Sequence, residues 1–511
     1  MSYFATMTVY HFHAKEKHMA KRKTNRPLVL IALILSMFMA AIEGTIVATA
    51  MPNIVADLGG FSLYSWVFSS FLLMQAITTM IYGKLADLYG RKPVFIIGVI
   101  IFLIGTVLCG FAASMGWLVI FRLIQGIGAG AIQPIVTTIV GDMYSVKERA
   151  KVQGYLASVW GISSVIGPLL GGFIVQFIDW AWIFWMNIPL GIFGLIGVAK
   201  YFHEDISTAK KHIDYIGSSL FLVAISALII IFVQAGTAWA WLSIENIGFI
   251  LIFLSCMTIF IWHERKATSP MIPLFLWKDR LIVIANICAL SSGMIILGLS
   301  SFLPTYVQGV MGETAIVAGF ALSTMSIGWP ISSTIAGHLV IRIGFRTTAI
   351  CGGTFLLIGT FLFSLLDPSK GPIYAAVSSF VVGCGMGLSS TTFIVSIQNH
   401  VDWNLRGVAT SLHMFMRIIG SAVGASFLGG LLNQQMQQYY QKQNVELDVA
   451  STDMLLDEST RQTLSQTELH TLQDGLTFAL HHVYIGLFII GIFTFIMCLF
   501  YPKIQLEKAG D

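Results

Sequence analysis

Apolar runs of about 20 residues return from one end of this 511-residue sequence to the other, and each is long enough to cross a hydrocarbon layer. A hydrocarbon core offers no water to backbone N–H and C=O groups, and the runs are too long for barrel strands. Every crossing must therefore be helical. With 56% hydrophobic and 11% charged residues, no water-soluble globule can hide this much apolar surface. The predicted fold class is all-α, a polytopic membrane protein of fourteen spans that run from 28–50 to 477–501.

The basic residues orient the chain, because short cytoplasmic loops retain Lys and Arg. An N-terminus inside assigns 24 of the 29 Lys and Arg to cytoplasmic segments and leaves Lys370, Lys442 and Arg461 outside, with Arg122 and Arg417 within spans. Both termini are then cytoplasmic, with a tail at 1–27 and another at 502–511, and the expected location is the cell (plasma) membrane. The formal charge of +4 is a topology signal; no basic patch interleaved with aromatics points to nucleic acid. The first apolar run is of full-span length and reads as a signal anchor, and Met19 before Ala20-Lys21-Arg22-Lys23 reads as a second candidate start. All six cysteines fall in predicted spans without CxxC or Cys/His ligand spacing, so neither a disulfide nor a metal site is expected, and no cofactor is implied.

A weak internal repeat organises the spans. Gly126-Ile127-Gly128-Ala129-Gly130 matches Gly383-Cys384-Gly385-Met386-Gly387 at an offset of 257, and Arg149 matches Arg406 at the same offset. The loop Gly83 to Lys92 has a degenerate copy in Gly337, Gly344 and Arg346 at an offset of 254. The implied organisation is a six-helix half at 28–201, two inserted helices at 215–262, and a second six-helix half at 281–501 with an outer loop at 433–475.

Four local patterns carry chemistry. The loop Gly83-Lys84-Leu85-Ala86-Asp87-Leu88-Tyr89-Gly90-Arg91-Lys92 packs an acid, bases and turn-permitting glycines into ten residues. It reads either as a latch, in which Asp87 and Arg91 meet partner charges or a helix end, or as a solvated positive loop. On span four, Arg122, Gln125 and Gln133 share one helical face with Ala129. A guanidinium there needs an acid, a water-filled cavity, or a path to the outer surface. On span five, Gly161, Gly167-Pro168 and Gly171-Gly172 permit close packing and a bend, features that any tightly packed membrane helix can also show. On span one, Glu43 precedes Gly44-Thr45 and Met51-Pro52; an acid at mid-helix is either functional or the partner of a structural Glu43–Arg122 pair.

Taken in order, these four patterns resemble the fourteen-span drug:proton antiporter branch of the major facilitator superfamily, of the Gram-positive multidrug resistance protein 3 type. The resemblance covers nearly the whole chain and departs from the family pattern at Glu43, where the usual acid is aspartate. It implies a major facilitator fold and proton-coupled export of small-molecule drugs, by a protein that sits in membrane lipid and works as a monomer. It further implies a gating loop at Gly83, Asp87, Gly90, Arg91 and Lys92, an exporter helix at Gly161 to Gly172, and a proton and substrate cavity around Glu43, Arg122, Gln125 and Gln133. Arg417 with Gly420 and Gly424 on span thirteen resembles a family pattern too, and either lines the cavity or snorkels inward.

An enzyme is the competing class. HExxH, GxSxG and GxxxxGK[ST] are all missing from the sequence, which removes the chemistry for zinc hydrolysis, an elbow serine and ATP-driven pumping. An exporter of an endogenous lipid, peptide or sugar, and a many-helix receptor, are the other readings. The topology has a direct check. An epitope tag inserted in 433–475 should be reached by antibody on intact spheroplasts, whereas tags at either terminus should be reached only after permeabilisation.

Overall fold

The computed structural model of the chain describes residues 24–59, 63–204, 214–234, 243–267, 270–443 and 466–503. Among these no strand occurs, in agreement with the all-α expectation. The helices are α1 (Arg26–Leu58), α2 (Tyr64–Tyr89), α3 (Arg91–Gly110), α4 (Met115–Met143), α5 (Val146–Phe177) and α6 (Trp182–Tyr201). After them come α7 (Tyr215–Gln234), α8 (Ile244–Glu264), α9 (Arg280–Thr305), α10 (Ala315–Ser364), α11 (Gly371–His400), α12 (Arg406–Lys442) and α13 (Gln466–Leu499).

Polar residues just outside the apolar runs start several of these helices by accepting the otherwise unused N–H groups of the first turn. Ser114 accepts from Trp117, Thr314 from Val317, and Asp279 from both Leu281 and Ile282. Ser145 and Glu148 form a reciprocal capping box before α5.

Eleven helices are long and apolar enough to span a membrane, or twelve if the bent α5 counts as one span, against the fourteen expected. Three places account for the difference. The segments Lys151–Ser164 and Leu169–Phe177 of α5 meet at 41°, at the stretch that holds Pro168. The apolar segment Ile316–Ser364, at 49 residues, is too long for one crossing and turns at Gly344, whose φ of 82° is left-handed. The apolar part of α7, Tyr215–Ile231, is short for a span. Lipid explains the outer surface: Ile97, Ile104, Leu251 and Phe320 are more than half exposed, which water would penalise.

One other expectation needs correction. The loop at 433–475 is shorter than its polar sequence suggested, because α12 continues to Lys442 and α13 already begins at Gln466. Met436 and Tyr440 on one extension and Leu472 and Leu476 on the other are buried together, so apolar residues scattered among glutamines still find a shared core. The middle of that loop lies outside the described residues, as does most of 1–27. The segment 270–280 buries Met271, Ile272 and Leu276 and holds a short 3₁₀ turn, Leu274–Lys278.

One core gathers side chains between Val29 and Phe202, and another gathers those between Ile295 and Leu487. A third joins α2, α7, α8 and α12 through Ile77, Phe221, Phe260 and Phe415. In the first core α3 and α4 approach so closely that a Cβ on Gly105 would lie 2.5 Å from Gln125 Cα, and one on Gly128 2.6 Å from Gly98 O. Backbone cannot yield as a side chain does. Gly128→Val should therefore cost about 3 kcal/mol or more and lower both the detergent melting temperature and the folded yield. Gly172→Ala, where nothing lies within 4 Å, should melt like the parent protein.

Candidate coupling and gating sites

Glu43 lies near the middle of α1 and is fully buried, as are Gln125 and Asn187, with Arg122 1% exposed. Arg122 Nη1 donates to Glu43 Oε1 at 2.6 Å and to Gln125 Oε1 at 2.7 Å, while its Nε donates to the carbonyl of Val67 at 3.2 Å. Its guanidinium carbon stands 4.2 Å from the centre of the Phe71 ring. The second carboxylate oxygen accepts from Asn187 Nδ2 at 2.8 Å, and Gln125 Nε2 donates onward to Thr106 at 2.9 Å. Charges taken this far from water persist only when paired and hydrogen-bonded, and both conditions are met here.

The helical register of α4 makes this assembly. Arg122 and Gln125 are one turn apart and present adjacent polar groups to α1. Gln133, two turns further on, is roughly 12 Å along the helix from Gln125 and takes no part in these bonds. Asn187 and Thr106 were not foreseen, since a neutral amide or hydroxyl in an apolar run gives no signal until its partner is known.

A second cluster lies at the end of the bundle where α1 begins and α13 finishes. Asp87, on the last turn of α2, accepts from the backbone N–H of Gly407 at 2.9 Å and of Val408 at 2.8 Å, the first free donors of α12. Arg91, fully buried, pairs with Asp87 at 3.0 Å, with Asp142 at 3.0 Å and with Glu204 at 3.7 Å. It also donates to Trp403 O at 2.8 Å, and its guanidinium carbon stands 3.8 Å from the centre of the Trp403 ring. Asp142 continues to Arg406 at 3.0 Å, and Gln398 Nε2 donates to Thr137 O at 3.1 Å. Glu204 accepts from Arg91 N and Lys92 N, yet burial outweighs these partners and lifts its carboxyl above the ordinary range. Lys92 Nζ donates to Phe202 O at 2.8 Å.

Glycines let the cluster form. Gly90 turns the chain at φ 95°, and Gly344, at the offset of 254, adopts φ 82°. A Cβ on Gly83 would lie 2.6 Å from Ser411 Cβ, and one on Gly407 the same distance from Gly83 O, so α2 and α12 touch backbone to backbone. Asp142, Glu204, Trp403 and Gly407 were missed by a reading that tallied bases. Two acids among segments otherwise marked by Lys and Arg were the signal that could have found the first pair.

On α5, a Cβ on Gly161 would meet Ser326 O of α10 at 2.6 Å, and one on Gly171 would meet Ile46 O of α1 at 3.1 Å. Gly167 lies against the side chain of Thr45, whereas Gly172 faces open space, and the side chain of Pro168 lies outside the described residues. Arg417, on α12, stands apart from all of these and lines a small cavity with His413, Ser292 and Trp329.

The family profile of the Major Facilitator Superfamily matches residues 33–425. Multidrug resistance protein 3 of Bacillus subtilis (strain 168) is 38% identical over 408 residues, covering 80% of each chain. Multidrug transporter protein MdtP of the same organism is 35% identical over 412 residues, 81% of this chain and 76% of that one. Among solved structures, the human organic anion transporter MFSD10 superposes with a TM-score of 0.62 at 12% identity, over 93% of this chain and all of that one, which speaks for the fold alone. With a family profile over most of its length and relatives above one-third identity, this multi-span membrane protein belongs to the Major Facilitator Superfamily.

Proposed function

We propose that the protein exports lipophilic, often cationic, compounds across the cell membrane in exchange for protons, with Glu43 as the coupling acid and the Asp87–Arg91 cluster as the cytoplasmic gate. The observation that carries this reading is the way Arg122 is held. Besides Glu43 it has Gln125, a backbone carbonyl and an aromatic face, so it keeps three partners when Glu43 is neutralised. The network thus has a second arrangement ready, and a change of charge on one carboxyl is enough to choose between the two. The names of the Bacillus subtilis relatives support the substrate class.

In the state closed at the Asp87–Arg91 end, Glu43 is ionised and paired. A proton arriving from the outer side breaks the pair, releases a bound cation and permits the gate to open inward. Loss of that proton to the cytoplasm restores the site. Membrane potential supplies about 2.3 kcal/mol per charge per 100 mV to the inward proton and opposes an outward cation by the same amount. Net export of a monovalent cation against the potential therefore draws on more than one proton or on the pH gradient.

Glu43→Gln keeps an oxygen facing Arg122 and should fold, but it should lose drug-induced proton release and active efflux of cations, with Glu43→Asp keeping part of both. Export of a monovalent cationic dye against its gradient at the parental rate by the Gln variant would remove Glu43 from the coupling role. The gate has its own test. Asp87→Asn gives up the charge and one of two acceptors at the start of α12, which should slow turnover about tenfold in vesicles, equivalent to about 1.4 kcal/mol. Parental turnover in that variant would reduce the cluster to a structural contact. At the level of whole cells, an uncoupler should raise dye accumulation, and drugs should not stimulate any ATPase activity of the purified protein.

A further inference from the structure

The two arginines inside the bundle are treated differently. Arg122 is neutralised within the chain by Glu43. Arg417 is not: among the described residues the buried ion pairs run through Arg91, Arg122 and Arg406, and none reaches it. A guanidinium does not shed its proton under physiological conditions, and Arg417, partly exposed within its span, is open to a counter-charge from outside the chain.

The surroundings of Arg417 fit such a group. It lines a small cavity with His413, Ser292, Ser390, Trp329 and Phe393, and no acid borders it. His413 is one turn earlier on α12 and 3% exposed, and its Nδ1 has no hydrogen-bond partner. The space left holds about one water in this conformation, so a carboxylate enters only as the side chains around it part. The base of Arg417 is fixed, because Gly293 of α9 packs directly on its carbonyl and a Cβ on Gly420 would lie 2.8 Å from Leu290 Cα. A cation on a rigid backbone, an unpartnered imidazole nitrogen and two hydroxyls can each donate to an anion, and no carboxylate lines the cavity to compete for them.

We infer that this cavity is a carboxylate-binding subsite, and that the protein takes lipophilic organic acids or zwitterions through it as well as cations. The planar fork of Arg417 matches both oxygens of a carboxylate, the serine hydroxyls and an imidazole N–H complete their shell, and Trp329 and Phe393 provide an aromatic wall for the adjoining apolar body. Transport of the bound acid rests on the exporter reading; binding itself does not.

The test uses full-length protein in lipid nanodiscs and measures equilibrium binding of naphthylacetate and of its neutral amide, naphthylacetamide, at neutral pH. The parent should prefer the acid by about tenfold or more, as a charge-assisted bidentate contact implies. Arg417→Gln should abolish that preference, and Arg417→Lys should keep part of it, with a charge but no fork. Should Arg417→Gln fail to fold, His413→Asn serves in its place and should reduce the acid-to-amide ratio. Equal affinity of the parent for the two compounds, an unchanged ratio in the variants, or chloride binding that neither compound displaces would each overturn the inference. Neutral-dye efflux from vesicles is measured separately: its absence counts against export, while a preference for the acid that depends on Arg417 still upholds the subsite.

Discussion

Gly407 and Val408 open α12 with N–H groups that no residue of their own helix can satisfy, and in this conformation both are met by one carboxylate from the far end of the sequence. Asp87 is 320 residues away from Gly407, so the contact ties the beginning of the fold to its end. The sign is favourable as well, since the N-terminus of a helix carries partial positive charge. Arg91, Asp142, Glu204 and Arg406 are arranged around that contact, and the glycines at 83 and 407 stand where a side chain would keep the two backbones apart.

The buried pair on α1 and α4 obeys a different logic. Losing one partner of such a pair costs about 3–5 kcal/mol, because the other charge is left without compensation. Here the penalty on Arg122 is softened in advance by Gln125, Val67 and Phe71, while Glu43 keeps the amide of Asn187. The arrangement therefore tolerates a neutral Glu43 far better than a missing Arg122. A pair built only for rigidity has no need of this asymmetry, which is why the functional reading of Glu43 is preferred to a purely structural one.

Much of the fold was legible because a membrane leaves the chain few options. Run length alone specified helices, and the glycines at positions 90 and 344 marked turns that the backbone makes in the same left-handed way. The site was legible only on one side of each contact. Glu43, Arg122, Asp87 and Arg91 stand out as charges in or beside apolar runs, but Asn187 lies 144 residues from Glu43, and Trp403 lies 312 from Arg91. Asp87 binds backbone N–H groups, which every residue but proline possesses and no sequence can advertise. The glutamine-rich ends of the 433–475 stretch failed for the opposite reason, since their polar surface outnumbers the few apolar residues that pack.

The complete burial of Arg91 has a kinetic side. Mobile ions screen charges that water can reach, over about 8 Å at physiological ionic strength, but they do not enter a cluster from which solvent has been excluded. Salt therefore leaves the closed assembly of Asp87, Arg91 and Asp142 largely untouched and acts on the parted halves, where the same charges are hydrated and attract one another across open solution. If the cluster gates as proposed, ionic strength bears on how fast this end re-forms and hardly on how long it stays shut, so that its dwell time is a property of the protein and its recovery time a property of the solution around it.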